Sequence, residues 1–303
     1  MAPRSILSWL AVVAACGNDA RAPSATPPPT RDADAADAVA DAPATGDADP
    51  LADFVPHHTK YPDVASAVKV VLADRPRVLG IGEIHERTDR ASASVPTLVR
   101  FAREVLPTIA SQTSDLVIET WTLEPGCQTG VADSRKIEAS MKRPAATTNQ
   151  ISSLFGITKA NAIKAHVMRL TCADLKAATE HGVDPVALLG LVTRELGRIS
   201  ASAVRYRDEH GEARPVIAVY GGALHNDLYP PRSTREWSYA LPVDAATGGR
   251  FVELDLYRPE QVEGVELYQR EPWYPLVAEA GPDHVVLIER APHAWLVLLP
   301  REP

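Results

Sequence analysis

The sequence predicts an α/β fold in which helices flank a mixed, largely parallel sheet. Two observations predict it. Short apolar segments of strand length alternate with longer segments of helical periodicity, and this alternation continues through residues 51–303. That part of the chain is long enough for one large domain with its own core, and it contains no internal repeat. We therefore expect a single α/β domain over residues 51–303.

Capping signals and apolar stripes predict the helices. The predicted helices span residues 62–74, residues 95–106 and a long segment that opens at residue 184. Pro62 suits the first position of a helix, and Asp184-Pro185 pairs a capping side chain with a first-turn proline. Residues 121–150 show no clear period, so we expect an irregular segment with a short helix at 136–141.

Most of the predicted strands are short runs of branched or aromatic apolar residues. They span residues 77–81, 115–119, 167–172, 215–220, 251–257, 285–288 and 295–299. Pro292-His293 separates the last two strands, which favours a hairpin at the edge of the sheet.

The beginning of the chain resembles a bacterial lipoprotein signal peptide over residues 1–16. Arg4 supplies a positive charge, and the apolar run that follows is too short to span a bilayer. Val13-Ala14-Ala15-Cys16 resembles a lipobox, which makes Cys16 the expected lipidation site and the lipid bilayer a partner. Because Gly17 follows instead of aspartate, the outer membrane of the cell envelope is favoured over the inner membrane. The alternative is an ordinary signal peptide that is cleaved elsewhere.

Residues 17–50 are rich in Ala, Asp and Pro and are expected to form a disordered linker. They contain almost no large apolar side chain and therefore cannot bury enough surface to offset the entropy lost on ordering. Their net charge is −5 of the −8 carried by the whole chain, and the remaining 51–303 carry −4 because Arg4 contributes +1. Without a basic block in that part, nucleic acid is not an expected partner.

Two further cysteines, Cys127 and Cys172, lie in the predicted domain. Disulfides persist in exported proteins, so one interpretation is that the two cysteines pair. The alternative is that they are buried free thiols. They lie too far apart in sequence for a CxxC motif.

Groups that can bind a metal or transfer a proton follow three of the predicted strands. Glu83 and His85 follow the first strand, Glu119 ends the next, and His225 follows Gly222 after a later strand. Ligands bind outside the carboxyl ends of strands in open α/β sheets, so these side chains are expected to meet.

Imidazole and carboxylate are a donor set typical of zinc and similar divalent ions. His85, His225 and Glu119 are the candidate metal ligands. Glu83 and Glu119 are the candidate catalytic carboxylates, because a carboxylate beside bound water can act as a general base. Each G-x-x-H element or glutamate taken alone is more typical of an ordinary capped or ion-paired surface group, and the inference rests on their occurrence at three strand ends.

Together these residues resemble the ChaN/TIKI/TraB group, of which erythromycin esterases are more distant relatives. The motifs are Gly82-Glu83-Ile84-His85, Glu119 and Gly222-Ala223-Leu224-His225, within roughly residues 75–230. The run Val-Leu-Gly-Ile-Gly-Glu-Ile-His is most similar to ChaN-like lipoproteins, which agrees with the lipobox. The resemblance implies an EreA/ChaN-like sheet.

The resemblance implies different functions according to the relative considered. TIKI proteins are similar to metal-dependent proteases, which implies that His85 and His225 are metal ligands and Glu119 a ligand or base. Erythromycin esterases are hydrolases with a G-E-x-x-H element, one residue longer than the element in this chain. ChaN is a haem-binding lipoprotein, which implies a haem ligand among His85, His225, Tyr220 and Tyr229.

Three functions are therefore expected in order. The first is a metal-dependent hydrolase that acts on a small molecule or peptide. The second is a haem or iron-binding lipoprotein without catalysis, and the third is an inert envelope interaction protein.

Overall fold

One eight-stranded sheet organises the part of the chain that the computed structural model describes, residues 54–90 and 95–302. The strands lie in the order β1-β7-β8-β6-β2-β5-β3-β4. Their bounds are β1 His57–Tyr61, β2 Val78–Glu83, β3 Thr113–Leu123, β4 Lys164–Leu170, β5 Val216–Gly222, β6 Phe251–Tyr257, β7 Val285–Ala291 and β8 Ala294–Leu298. The predicted signal peptide, residues 1–16 with Cys16, and the predicted linker, residues 17–50, lie outside the described residues.

Most of the sheet is parallel. The six strands from β8 to β4 pair in parallel with their neighbours, whereas β7 runs antiparallel to both β8 and β1. The predicted α/β class with a mixed, largely parallel sheet is therefore confirmed. Because parallel neighbours end at the same edge, the carboxyl ends of β6, β2, β5 and β3 lie side by side.

Helices cover both faces of the sheet. The α-helices are α1 Val64–Val71, α2 Thr97–Arg100, α3 Leu106–Ile109, α4 Gly130–Met141, α5 Ala146–Ala160, α6 Cys172–Ala177, α7 Pro185–His210, α8 Ala223–Asn226, α9 Ala240–Ala246 and α10 Pro259–Glu263. A π-helical turn, Phe101–Val105, joins α2 to α3, and short 3₁₀ segments span Leu72–Asp74, Arg235–Trp237, Tyr268–Arg270 and Tyr274–Glu279. Within the described ranges, no helix has the length and apolar character needed to cross a membrane.

The alternation of side chains along the strands divides the core between the two faces. Leu79 and Ile81 of β2 pack with α1, α2, α3 and α5 on one face. Val78 faces the opposite way and packs with α4, α6, α7 and α9. A third apolar cluster joins β7 and β8 to α10 and the two 3₁₀ segments that follow it. The central parallel strands β2, β5 and β6 are thus buried on both faces, whereas β4 at the edge is partly exposed.

Helices α4 and α5 occupy most of residues 121–150, so the irregular character predicted for this segment is wrong, whereas the short helix predicted at 136–141 is present as the second half of α4. The buried positions of α4 are Gly130, Ser134, Ile137 and Met141, at helical spacing. Two of these four are small or polar, so the buried face of this helix does not appear as an apolar period in the sequence. Helix α5 hides its face in the same way, since threonines occupy two of its four buried positions.

The start of the first helix and the position of the hairpin differ from the prediction for local reasons. The first helix begins at Val64 and not at Pro62, because the Asp63 side chain accepts a hydrogen bond from the Ser66 amide at 2.7 Å and caps it. The predicted hairpin is present as β7 and β8, but β1 pairs with β7 and takes the edge position. The mostly exposed, polar sequence of β1 gave no strand signal.

Cys127 and Cys172 form a disulfide, with Cα atoms 5.4 Å apart. The interpretation that the two cysteines pair is therefore confirmed, and the alternative of two free thiols is wrong. The bond joins the segment after β3 to the first residue of α6.

Candidate functional site

The strand register brings the predicted site residues to one edge of the sheet. Glu83 lies opposite Gly222 of β5, and Tyr220 lies opposite both Ile81 of β2 and Ile118 of β3. Glu119 directly follows Ile118, and α8 carries His225 back over the sheet from the end of β5. The expectation that β2, β3 and β5 deliver their polar groups to one region is met.

A shift in strand register surrounds Glu119. Ile118 pairs with Val167, whereas Trp121 pairs with Met168, so β3 advances three residues while β4 advances one. Glu119 and Thr120 are therefore the extra residues of a bulge, and both are buried. Bulges redirect side chains and are frequent beside functional sites. This bulge orients the Glu119 carboxylate towards β5.

Two glycines of β5 accommodate that carboxylate. The Gly222 amide donates a hydrogen bond to Glu119 Oε2 at 2.5 Å. A Cβ atom at Gly221 would lie 2.4 Å from the same oxygen and 2.9 Å from the Glu119 Cβ atom. Glycine at 221 is therefore required by the close approach of a neighbouring side chain. The two glycines before the second G-x-x-H histidine thus hold Glu119 in place.

His85 lies between two carboxylates. Its Nδ1 lies 2.6 Å from Glu83 Oε1, and its Nε2 lies 3.4 Å from Glu119 Oε1. The Tyr220 hydroxyl donates to the second oxygen of Glu83. A carboxylate that accepts from both neighbours fixes the proton of His85 on Nδ1, so Nε2 is the nitrogen that faces Glu119. That nitrogen has no hydrogen-bond partner among the described residues.

The charge state of His85 follows from its surroundings. Burial and the guanidinium of Arg143 oppose protonation of the imidazole, but the carboxylates of Glu119 and Glu83 outweigh them and raise the pKa of His85. Burial also opposes ionisation of Glu119, yet the two imidazoles and the Gly222 amide lower its pKa to about 2. Glu119 is therefore an anion at neutral pH.

His225 shows the same arrangement of its two nitrogens. Its Nδ1 lies 3.0 Å from the Trp237 carbonyl oxygen and 2.9 Å from Thr193 Oγ1. Because a carbonyl only accepts, Nδ1 carries the proton and Nε2 carries a lone pair. Burial lowers the pKa of His225 in spite of the negative charge of Glu119, so the imidazole is neutral. Its Nε2 is buried and makes no hydrogen bond within the described part of the chain.

Arg143 is a site residue that the sequence did not reveal. Its side chain is 4% exposed, and Nη1 lies 3.9 Å from Glu83 Oε1. Burial lowers the pKa of the guanidinium, and the charges of Glu83 and Glu119 oppose that effect. Arg143 follows α4, in the segment predicted to be irregular, and no motif marks it. Its proximity to the two glutamates arises only from the packing of α4.

The remaining expectation concerned Tyr220 as a haem ligand. Its hydroxyl is bound to Glu83, and its ring stacks on Phe101 with centroids 4.2 Å apart. Tyr220 therefore orients the Glu83 carboxylate. Haem binding stays a prediction.

The donor set at the site fits a divalent metal ion in type. His225 Nε2 carries a lone pair, His85 Nε2 lies 3.4 Å from the ionised carboxylate of Glu119, and each imidazole donates its Nδ1–H to a carboxylate or a carbonyl oxygen. That second hydrogen bond is typical of metal-ligating histidines. The distance of 3.4 Å between His85 Nε2 and Glu119 Oε1 also matches the edge of a tetrahedron with bonds of about 2.1 Å.

The third ligand is farther away. His85, Glu119 and His225 do not form a set in which one ligand atom of each lies within 4.8 Å of the other two. Within residues 54–90 and 95–302, Glu124, Cys127 and Cys172 form the one set that meets this distance. Both of those cysteines are in the disulfide. A metal ion bound by all three residues would therefore require their side chains to move closer together.

Comparison with known proteins adds no relative. No family model, no curated protein and no solved structure matches the chain.

The site is closed towards solvent, since Glu83, His85, Glu119 and His225 are at most 5% exposed. A cavity of about 310 Å³ is lined by the end of β3 from Trp121 onwards and by α4 as far as Glu138. None of the four buried site residues lines it.

Proposed function

We propose that the chain is a hydrolase of the bacterial cell envelope that activates water at a divalent metal ion bound by His85, Glu119 and His225. One observation carries the proposal: two buried imidazoles direct Nδ1 to a carboxylate or a carbonyl oxygen, and neither Nε2 atom makes a hydrogen bond within the described residues. His85 Nε2 lies 3.4 Å from the ionised carboxylate of Glu119. Leaving the buried His225 Nε2 unsatisfied costs about 1–3 kcal/mol, which a ligand would recover.

The other residues of the site support this chemistry. Glu83 holds the Nδ1–H of His85, and Tyr220 holds Glu83, so the ring of His85 keeps one orientation. Arg143 lies beside both glutamates, where its charge can stabilise the oxyanion that develops when water attacks a carbonyl. A bound divalent ion lowers the pKa of its water to about 7 and polarises the carbonyl.

Metal content tests the proposal without knowledge of the substrate. The purified full-length chain, with its disulfide intact, is incubated with zinc and desalted, and bound zinc is measured by mass spectrometry. We expect one zinc per chain in the wild type and a loss of at least about tenfold in affinity in His85→Ala and His225→Ala. Hydrolysis of a generic p-nitrophenyl ester should fall in parallel.

His210→Ala is the matched control, because His210 is exposed and its Nδ1 lies 2.8 Å from the Tyr206 carbonyl oxygen. It should retain zinc. A wild type that takes up no stoichiometric zinc, or histidine variants that bind as much as the wild type, would refute the metal site.

The envelope location rests on Cys16 and has its own test. Cells that express the wild type are grown with radioactive palmitate and compared with cells that express Cys16→Ser. We expect label on the wild type, which should sediment with membranes, and none on the variant. Equal labelling of both would show that Cys16 is not the anchor.

A further inference from the structure

A second group of possible metal ligands lies outside the proposed hydrolytic site. Glu124, Cys127 and Cys172 each place one ligand atom within 4.8 Å of the other two. Two cysteine sulfurs and a carboxylate are a donor set that zinc uses in proteins. The disulfide occupies both sulfurs, and a disulfide sulfur is not a thiolate ligand.

The carboxylate of this group is already held in place. Glu124 Oε1 accepts a hydrogen bond from the Cys172 amide at 3.0 Å, and the Glu124 amide donates to the Leu170 carbonyl at 2.9 Å. Both ends of Glu124 are therefore tied to the segment that begins α6. The carboxylate stays beside Cys172 whether or not the sulfur is oxidised, because both hydrogen bonds use backbone atoms of that segment.

The group is also reachable. Glu124 and Cys127 line the cavity of about 310 Å³ beside β3, together with the exposed Gln128. Cys172 and Glu124 are half-buried, and Cys127 is buried. A small reductant and an ion with its water can therefore approach from this cavity, and the cavity leaves space for a water molecule as fourth ligand.

We propose that the reduced form of the chain binds a thiophilic divalent cation, of which zinc is the type, through Cys127, Cys172 and Glu124. A dithiol supplies the two electrons and two protons for reduction: the Cys127–Cys172 bond breaks, two thiols form, and the dithiol becomes a cyclic disulfide. Each thiol then releases its proton to solvent as its sulfur binds the ion. The disulfide and the metal use the same two sulfurs, so the two states exclude each other.

Cobalt(II) is the probe, because cobalt bound to thiolate absorbs in the near ultraviolet. The full-length chain is reduced with dithiothreitol, and the reductant is removed by anaerobic gel filtration. The reduced chain is then titrated with cobalt. We expect a thiolate-to-cobalt band that saturates at one cobalt per reduced chain. The oxidised chain and Cys127→Ser should show no such band.

Two further variants test the third ligand. Glu124→Gln should weaken cobalt binding by about tenfold or more, whereas Glu138→Gln, a carboxylate that lines the same cavity outside the group, should bind as the wild type does. Circular dichroism of the reduced chain checks that the fold persists.

Three results would overturn the inference: no thiolate band in the reduced wild type, equal affinity in Glu124→Gln, or unfolding on reduction. The histidine site contains no sulfur and gives no thiolate band. The two metal sites can therefore fail or succeed separately.

Discussion

Two buried charged clusters lie on neighbouring strands of the same sheet edge and are built differently. The histidine cluster comprises Glu83, His85, Glu119, Arg143 and His225. The β6 cluster comprises Asp227, Glu253, Asp255 and Arg290. Both contain carboxylates and an arginine, yet only the histidine cluster contains imidazole nitrogens that make no hydrogen bond in the described ranges.

The β6 cluster satisfies its charges internally. Arg290 donates to Glu253 and, at 2.7 Å, to Asp227. Glu253 also accepts from the Leu228 amide at 2.8 Å, and Asp255 accepts from the Tyr257 hydroxyl at 3.0 Å. A buried charged group whose hydrogen bonds are filled is a structural device, and filling them leaves no lone pair for a ligand.

The short helix α8 connects the two clusters. His225 belongs to the histidine cluster, and the next residue, Asn226, donates to Asp255 at 3.2 Å and to the Gly80 carbonyl at 3.3 Å. The β6 cluster thereby fixes the position of α8 on the sheet. On the proposed function, the β6 cluster holds the backbone and the histidine cluster binds the ligand.

Removal of Arg290, the arginine of the β6 cluster, should lower the unfolding free energy the most. Arg290→Met leaves the buried Glu253 carboxylate and the half-buried Asp227 carboxylate beside an apolar group, so we expect a loss of about 3 kcal/mol in unfolding free energy. Urea denaturation measures it. Arg270→Met is the control, since its partner Glu266 is exposed and the loss should be below about 1 kcal/mol. Equal losses would show that the β6 cluster is not a structural device.

Gly82, the residue of β2 against which α8 packs, should be nearly as sensitive to substitution. A Cβ atom at Gly82 would lie 2.7 Å from the Ala223 Cα atom and 2.1 Å from Asp255 Oδ1. We expect Gly82→Ala to cost about 2–3 kcal/mol by thermal or urea unfolding. Gly156→Ala is the opposite case: Gly156 lies in α5 with open space around it, and this change should stabilise the chain by about 0.5–1 kcal/mol. Destabilisation by both changes to the same degree would contradict the close approach of α8.

The pH dependence of stability should identify Asp255. Burial raises the pKa of Asp255 to about 6 in spite of Arg290, so the folded chain binds this proton more tightly than the unfolded chain. Its contribution is full below about pH 4 and is lost as the pH rises through about 6. Relative to Asp255→Asn, the wild type should lose on the order of 2 kcal/mol between pH 4 and pH 7. A constant difference across that range would rule out a protonated Asp255.

Replacing one tyrosine in each cluster should change zinc affinity for one cluster alone and should have the smallest effect on stability. Tyr220→Phe removes the donor to Glu83 and should lower zinc affinity about tenfold. Tyr257→Phe removes the same kind of donor from Asp255 in the β6 cluster and should leave zinc affinity unchanged. Each change should cost about 1 kcal/mol of stability. An equal fall in zinc affinity for both variants would mean that the two clusters act as one.

The sequence predicts the strands and their polar ends well, because β2 and β5 are buried on both faces and appear as apolar runs. It also places Glu83, His85, Glu119 and His225, since the ends of parallel strands meet. It does not predict Arg143, which reaches the site through a helix whose buried face includes Gly130 and Ser134. The β6 cluster is also invisible, because Glu253 and Asp255 alternate with apolar residues as they would on a half-exposed strand.

The position of bound zinc shows whether His85, Glu119 and His225 bind one ion. Crystals of the oxidised full-length chain are soaked with zinc, and anomalous scattering at the zinc edge locates the ion. We expect an anomalous peak about 2 Å from His85 Nε2, His225 Nε2 and a Glu119 oxygen, with the three side chains closer together than in the metal-free chain. Crystals that bind zinc elsewhere and show no peak beside these residues would refute the proposed site.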